Sequence, residues 1–102
     1  MSNILYLIGR VADQPKVIED GDNKKILLKV SVTRTYKNSN GVYECDIFPV
    51  ELSFPNYNVI LESIHKNDLV GIKGHIIMKD NNIAINCEKF TFLSNKVDDN
   101  ND

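Results

Sequence analysis

Alternation of apolar and polar residues, repeated in segment after segment, constrains this chain more than any other feature. In Ile26-Leu27-Leu28-Lys29-Val30-Ser31-Val32-Thr33, the residues Ile26, Leu28, Val30 and Val32 share one side, while Lys29, Ser31 and Thr33 share the other. Successive side chains of an extended strand point to opposite faces, so a period of two predicts antiparallel strands with one face buried and one wet. Residues 45 to 54 repeat the pattern, with Phe48, Val50, Leu52 and Phe54 expected in the core and Ile47, Pro49, Glu51 and Ser53 opposite. Residues 69 to 79 are expected to bury Val70, Ile72, Ile76 and Met78 and to turn Lys73, His75 and Lys79 outward. A first strand is expected over residues 3 to 11 and a last one over 83 to 93. In the last strand the phase changes between Cys87 and Phe90, which predicts a bulge at Glu88-Lys89.

Turn chemistry separates these segments. Asn38-Ser39-Asn40-Gly41 suits a hairpin tip, because Asn and Gly tolerate positive φ, and Asp80-Asn81-Asn82 makes a tight turn. After Pro55-Asn56, the residues Tyr57, Val59, Ile60, Leu61 and Ile64 fit a helix of about two to three turns. Three strands, a helix and two strands is the order of an all-β, five-stranded OB-fold barrel with one short helix between strands three and four. Periodicity alone leaves other small β-barrels open. Residues 1 to 93 form the expected single domain. Residues 94 to 102 are polar and acidic, and are expected to be a disordered tail.

Composition narrows the function classes. With 102 residues and 42% hydrophobic content, one compact core is expected. No apolar run approaches the roughly 20 residues that span a bilayer, so no membrane association is expected. Cys45 and Cys87 suggest no disulfide framework, and a cytoplasmic location follows. His65 and His75 lie among no suitably spaced ligands, and no metal, cofactor or catalytic group is expected. Gly71 and Gly74 form no phosphate loop and are read as letting a strand coil tightly. The formal charge is −2, yet residues 1 to 96 carry 12 basic against 11 acidic residues, which permits a local basic face.

Specific motifs carry a resemblance over residues 1 to 93. Met1-Ser2-Asn3-Ile4-Leu5-Tyr6-Leu7-Ile8-Gly9-Arg10-Val11 with Pro15, then Val32-Thr33-Arg34-Thr35-Tyr36-Lys37-Asn38 with Gly41, occur in order. Asp46, Leu69-Val70-Gly71-Ile72-Lys73-Gly74-His75 and Phe92-Leu93 follow at near-constant spacing. Together they resemble the bacterial single-stranded DNA-binding protein family, as a divergent short member. The resemblance implies sequence-independent binding of single-stranded DNA and a homo-oligomer, tetramer or dimer. Relatives commonly carry aromatics at the positions of Ile47 and Ser53, and both platforms are missing here. A one-residue shift would restore Phe48 and Phe54 to those positions but would bury an unpaired carboxylate, so it is rejected. The tail keeps its acids and lacks the family's apolar tip, which argues against recruitment of replication or recombination proteins by that route.

Single-strand binding combines cations for phosphates with flat side chains on which bases stack. Tyr36, between Arg34 and Lys37 where the resemblance places a DNA-clasping hairpin, is the foremost stacking candidate, with Tyr43 across the hairpin. Arg10, Lys29, Arg34, Lys73 and Lys79 are the phosphate candidates, and His75 shares the face of Lys73. Tyr6 shares a face with Ile4 and Ile8 and serves either the core or a subunit interface. DNA replication, recombination or mobile-element transfer is the expected setting. Two alternatives stay open: a primosomal accessory OB protein, and an OB protein-interaction module without DNA binding.

Overall fold

A computed structural model of the chain describes residues 1–53 and 59–94. The expected core position Phe54, Tyr57 at the start of the expected helix, and all but the first residue of the expected disordered tail lie outside the described residues. The elements run β1 (Leu5–Val11), β2 (Lys16–Asp20), β3 (Asn23–Lys37), β4 (Tyr43–Ser53), α1 (Ile60–Ser63), β5 (Leu69–Lys79) and β6 (Asn82–Ser94). All six strands join one sheet in the order β1-β5-β6-β4-β3-β2. Pairing of β1 with β3 at Arg10↔Ser31 and Val11↔Val30 closes five of them into the OB barrel, with β2 as an added strand.

The alternation reading had no place for β2. Its Val17-Ile18 pair is too short to show a period, and Pro15, which cannot donate to a ladder, separates it from β1. Both β1 and β2 nevertheless lie along one edge of β3, and Ala12 N donates to the Lys29 carbonyl at 2.8 Å between them.

The core is aliphatic. Val11, Ile26, Leu28, Val30, Val50, Leu52, Val70 and Ile72 are fully or almost fully buried, and Ile60 and Ile64 from either end of α1 complete the cluster. Phe48 and Phe90 pack against it while half-buried. Register bears out the rejection of the one-residue shift: Val30↔Phe48 faces inward, while Ile47, opposite Ser31, is exposed on the outer face. The expected bulge is present as well, since Lys73↔Lys89 and Gly74↔Cys87 leave Glu88 as the extra residue.

Several expectations are corrected. Ile76 and Met78, assigned to the core by parity, are exposed, because β1 stops pairing with β5 at Leu5↔Gly74 and the β5–β6 hairpin runs on past the barrel. The Asn3 side chain covers that step by bonding both ways to Ile76, donating to its carbonyl at 2.7 Å and accepting from its N–H at 3.0 Å. Phe92, which shares with Phe90 the strand parity expected to be buried, is 44% exposed near the end of β6. α1 is a single turn, with no side-chain cap at Val59 and Ile64 already extended. Glu51 points away from the core as expected yet is only 8% exposed, because Lys25 and Lys79 close over it at 3.2 Å each.

The two β5 glycines separate. A Cβ on Gly74 would run into the Asn86 carbonyl oxygen, so close strand packing requires glycine there. A Cβ on Gly71 would meet only Leu93 and Thr91 at ordinary contact distances of 3.6 and 3.9 Å, so strand geometry makes no such demand.

Candidate nucleic-acid interface

Beyond the barrel, β3 and β4 continue as a two-stranded arm. Thr33↔Cys45 and Lys37↔Tyr43 are paired, so three β3 residues, Arg34 to Tyr36, stand against Glu44 alone and the strand bulges. The tip is fixed by Asn38, whose side-chain oxygen accepts from Asn40 N at 2.8 Å and Val42 N at 3.0 Å, with Gly41 at φ 79°. These bonds hold an arm from which Tyr36 and Tyr43 project, 63% and 51% exposed. Lys37 Nζ lies 5.7 Å from the centroid of the Tyr43 ring, within cation–π range.

Arg34 is engaged internally. Its Nε and Nη2 donate to the two Asp46 oxygens at 2.9 and 2.8 Å, and Nη1 donates to Glu44 at 2.8 Å. That fork, followed by the charge of Asp46, raises the Arg34 pKa, and the same hydrogen bond lowers that of Asp46. Two cations and two carboxylates thus cancel on the arm. What the arm presents to solvent is two exposed rings, one of them with Lys37 against it.

The other predicted residues lie on the barrel's outer surface. Arg10, at the end of β1, donates to the Asn67 carbonyl at 3.2 Å. Lys29 stands opposite Pro49 on β3. Lys79 is drawn to Glu51, and His75 Nδ1 lies 2.6 Å from Glu88 Oε2. Lys73 is directly opposite Tyr6 on β1 and Lys89 on β6. The arm therefore gathers Arg34, Tyr36, Lys37 and Tyr43, while Lys73 belongs to a second region on β1, β5 and β6, and Lys79 to a half-buried ion cluster around Glu51. Tyr6 is 70% exposed, which removes its core reading.

Sequence reasoning missed Lys89. Carrying the Glu88 bulge through the strand phase would have set it beside Lys73. Among the described residues no cluster of three or more His, Cys, Asp or Glu could hold a metal ion, and no helix is long and apolar enough to cross a membrane.

No family model matches the chain, and no curated protein does. Solved structures do. A small single-stranded DNA-binding protein from Streptomyces coelicolor superposes with a TM-score of 0.72 at 16% identity, covering 91% of this chain and 94% of that one. The mitochondrial single-stranded DNA binding protein Rim1 from S. cerevisiae gives 0.73 at 13% identity, covering 95% and 100%. A deletion mutant of the single-stranded DNA binding protein from Thermus aquaticus gives 0.70 at 13% identity, covering 93% of this chain and 52% of that one. At 13–16% identity the likeness is one of fold: this chain is an OB barrel, closed by the β1–β3 contact, like those three structures.

Proposed function

We propose that this chain is a binding module for single-stranded DNA that recognises no particular sequence and catalyses no reaction. The arm carries the reading: two exposed tyrosines on a braced hairpin, one beneath a lysine, offer rings to bases whatever their identity. The shared fold supports it, since the proteins of like structure are single-stranded DNA-binding proteins. Replication, recombination or mobile-element transfer, in the cytoplasm, is the setting in which exposed single strands require such a module.

The reading includes a homo-oligomer. Among the described residues no strand pairs with the second edge of β1 from Leu5 to Gly9, and an open edge of this length is a template for antiparallel pairing with another copy. Such a dimer leaves the outer faces of the barrels uncovered.

Fluorescence anisotropy of a labelled oligo-dT, against the same length of duplex at two salt concentrations, tests the proposal. Preference for the single strand, weakening as salt rises, is the expected result. Equal affinity for both forms would refute it, and no binding to either would favour the protein-interaction module, a reading that the charge-neutral arm also fits.

A further inference from the structure

The outer face of β1, β5 and β6 holds a groove of about 460 Å³, within the roughly 300–1,000 Å³ usual for ligand sites. Two rows of side chains build it. Tyr6, Lys73 and Lys89 stand side by side across the three strands, and the next row is Ile8, Gly71 and Thr91. Neighbouring strands lie about 4.8 Å apart, so the ring of Tyr6 and the ammonium of Lys89 bracket a space some 10 Å wide with Lys73 between them. The floor is open because residue 71 has no side chain, and the backbone there does not require glycine. A Cβ there makes only ordinary contacts, so a side chain at residue 71 is expected to fill the groove floor without displacing the strand backbone.

The charges point to what fits. Lys73 and Lys89 are direct cross-strand neighbours, a like-charge pairing that weakens a sheet. Neither forms an ion pair among the described residues, and Glu88, the carboxylate next to Lys89 in sequence, sets its Oε2 2.6 Å from His75 Nδ1. Two uncompensated ammoniums beside an exposed phenol ring are what an anionic, flat-faced ligand complements. A second copy laid face to face about a two-fold axis through this row would set Lys73 and Lys89 of one copy near the same lysines of the other, a like-charge contact that disfavours that arrangement.

We propose that this groove holds one nucleotide of a bound single strand, its base against Tyr6 over the Gly71 floor and its flanking phosphates on Lys73 and Lys89. The proposal rests on the single-strand reading and extends it by adding a stacking site apart from the arm.

Oligo-dT affinity across salt, with light-scattering mass, is to be measured for the full chain and for Tyr6→Ala, Gly71→Val, the Lys73→Gln/Lys89→Gln pair and Tyr36→Ala. Gly71→Ala replaces Gly71→Val if the larger side chain unfolds the protein. The groove variants Tyr6→Ala and Gly71→Val are expected to bind about tenfold more weakly, as for one lost stacked base. The lysine pair is expected to lower the slope of log affinity against log salt by about 1.4, which is two phosphates on a single strand. All masses are expected to stay as in the unaltered protein. Wild-type binding with groove variants of unchanged affinity, while Tyr36→Ala weakens it, would overturn the groove and leave the arm reading standing. A fall in mass for Tyr6→Ala or Gly71→Val would assign the face to a subunit contact and overturn it too. An unaltered protein that fails to bind oligo-dT would remove both readings.

Discussion

The arm of β3 and β4 and the outer face of β1, β5 and β6 both set tyrosine beside basic side chains, but they treat charge in opposite ways. On the arm, Arg34 is locked between Asp46 and Glu44, so the cations and carboxylates there cancel and the exposed rings remain. On the face, Lys73 and Lys89 stand together, and neither forms an ion pair among the described residues. The formal charge of −2 averages over both and describes neither. Local pairing decides where phosphate can be held, and only the fold shows which cations are already engaged.

Both regions hang from one core, so the largest expected effect removes them together. Leu28→Ala, at a fully buried site in the middle of β3, is expected to cost about 2–5 kcal/mol through transfer and cavity terms. Urea unfolding followed by circular dichroism would measure it, and a cost under about 1 kcal/mol would mean that the barrel interior is not as described.

Next come the rings. Tyr36→Ala is expected to weaken oligo-dT binding by about 1–3 kcal/mol with little change in Tm or salt slope, since it removes a stacking surface from an exposed arm. Combined with Tyr6→Ala, the losses should add to within about 0.5 kcal/mol if the two rings serve separate bases. Strong non-additivity would erase the distinction between the regions.

The contrast in charge can be broken directly. In a Glu44→Gln/Asp46→Asn variant, Arg34 loses both carboxylates, and the arm should gain a phosphate contact, steepening the single-strand salt slope by about 0.7. An unchanged slope would show that Arg34 lies off the DNA path. Acid should loosen the same brace in the unaltered protein. The Asp46 pKa is held below its unfolded value by Arg34, so its contribution is present above the unfolded value near 4 and is lost as pH falls through the lower folded one. Tyr36 and Tyr43 resonances followed by NMR down that range should report the arm loosening before the barrel unfolds; simultaneous loss would count against a local brace.

The smallest effect concerns residues 96–102, which carry Asp98, Asp99 and Asp102. We expect a chain ending at Asn95 to keep its Tm and to bind oligo-dT slightly more tightly at low salt, because tethered carboxylates compete with phosphate for the uncompensated lysines. The gain should fade near 1 M salt, where the Debye length is about 3 Å. Weaker binding after truncation would give those residues a positive role.

Alternation alone was enough to put Ile26, Leu28 and Val30 in the core, to turn Ile47 out in place of Phe48, and to place the bulge at Glu88. These follow from the two-residue period of an extended chain, a local property that survives in any sheet. Whether anything covers a given face is not local. Ile76 and Met78 keep the apolar parity yet are exposed, because β1 ends before reaching them. Glu51 keeps the polar parity yet is buried, because lysines from β3 and β5 converge on it. The row of Tyr6, Lys73 and Lys89 draws on three strands whose members lie 67 and 16 positions apart in the chain, and no pattern within one segment contains it. Strand periodicity determined which side chains share a face; inter-strand register and barrel closure decided which of them meet.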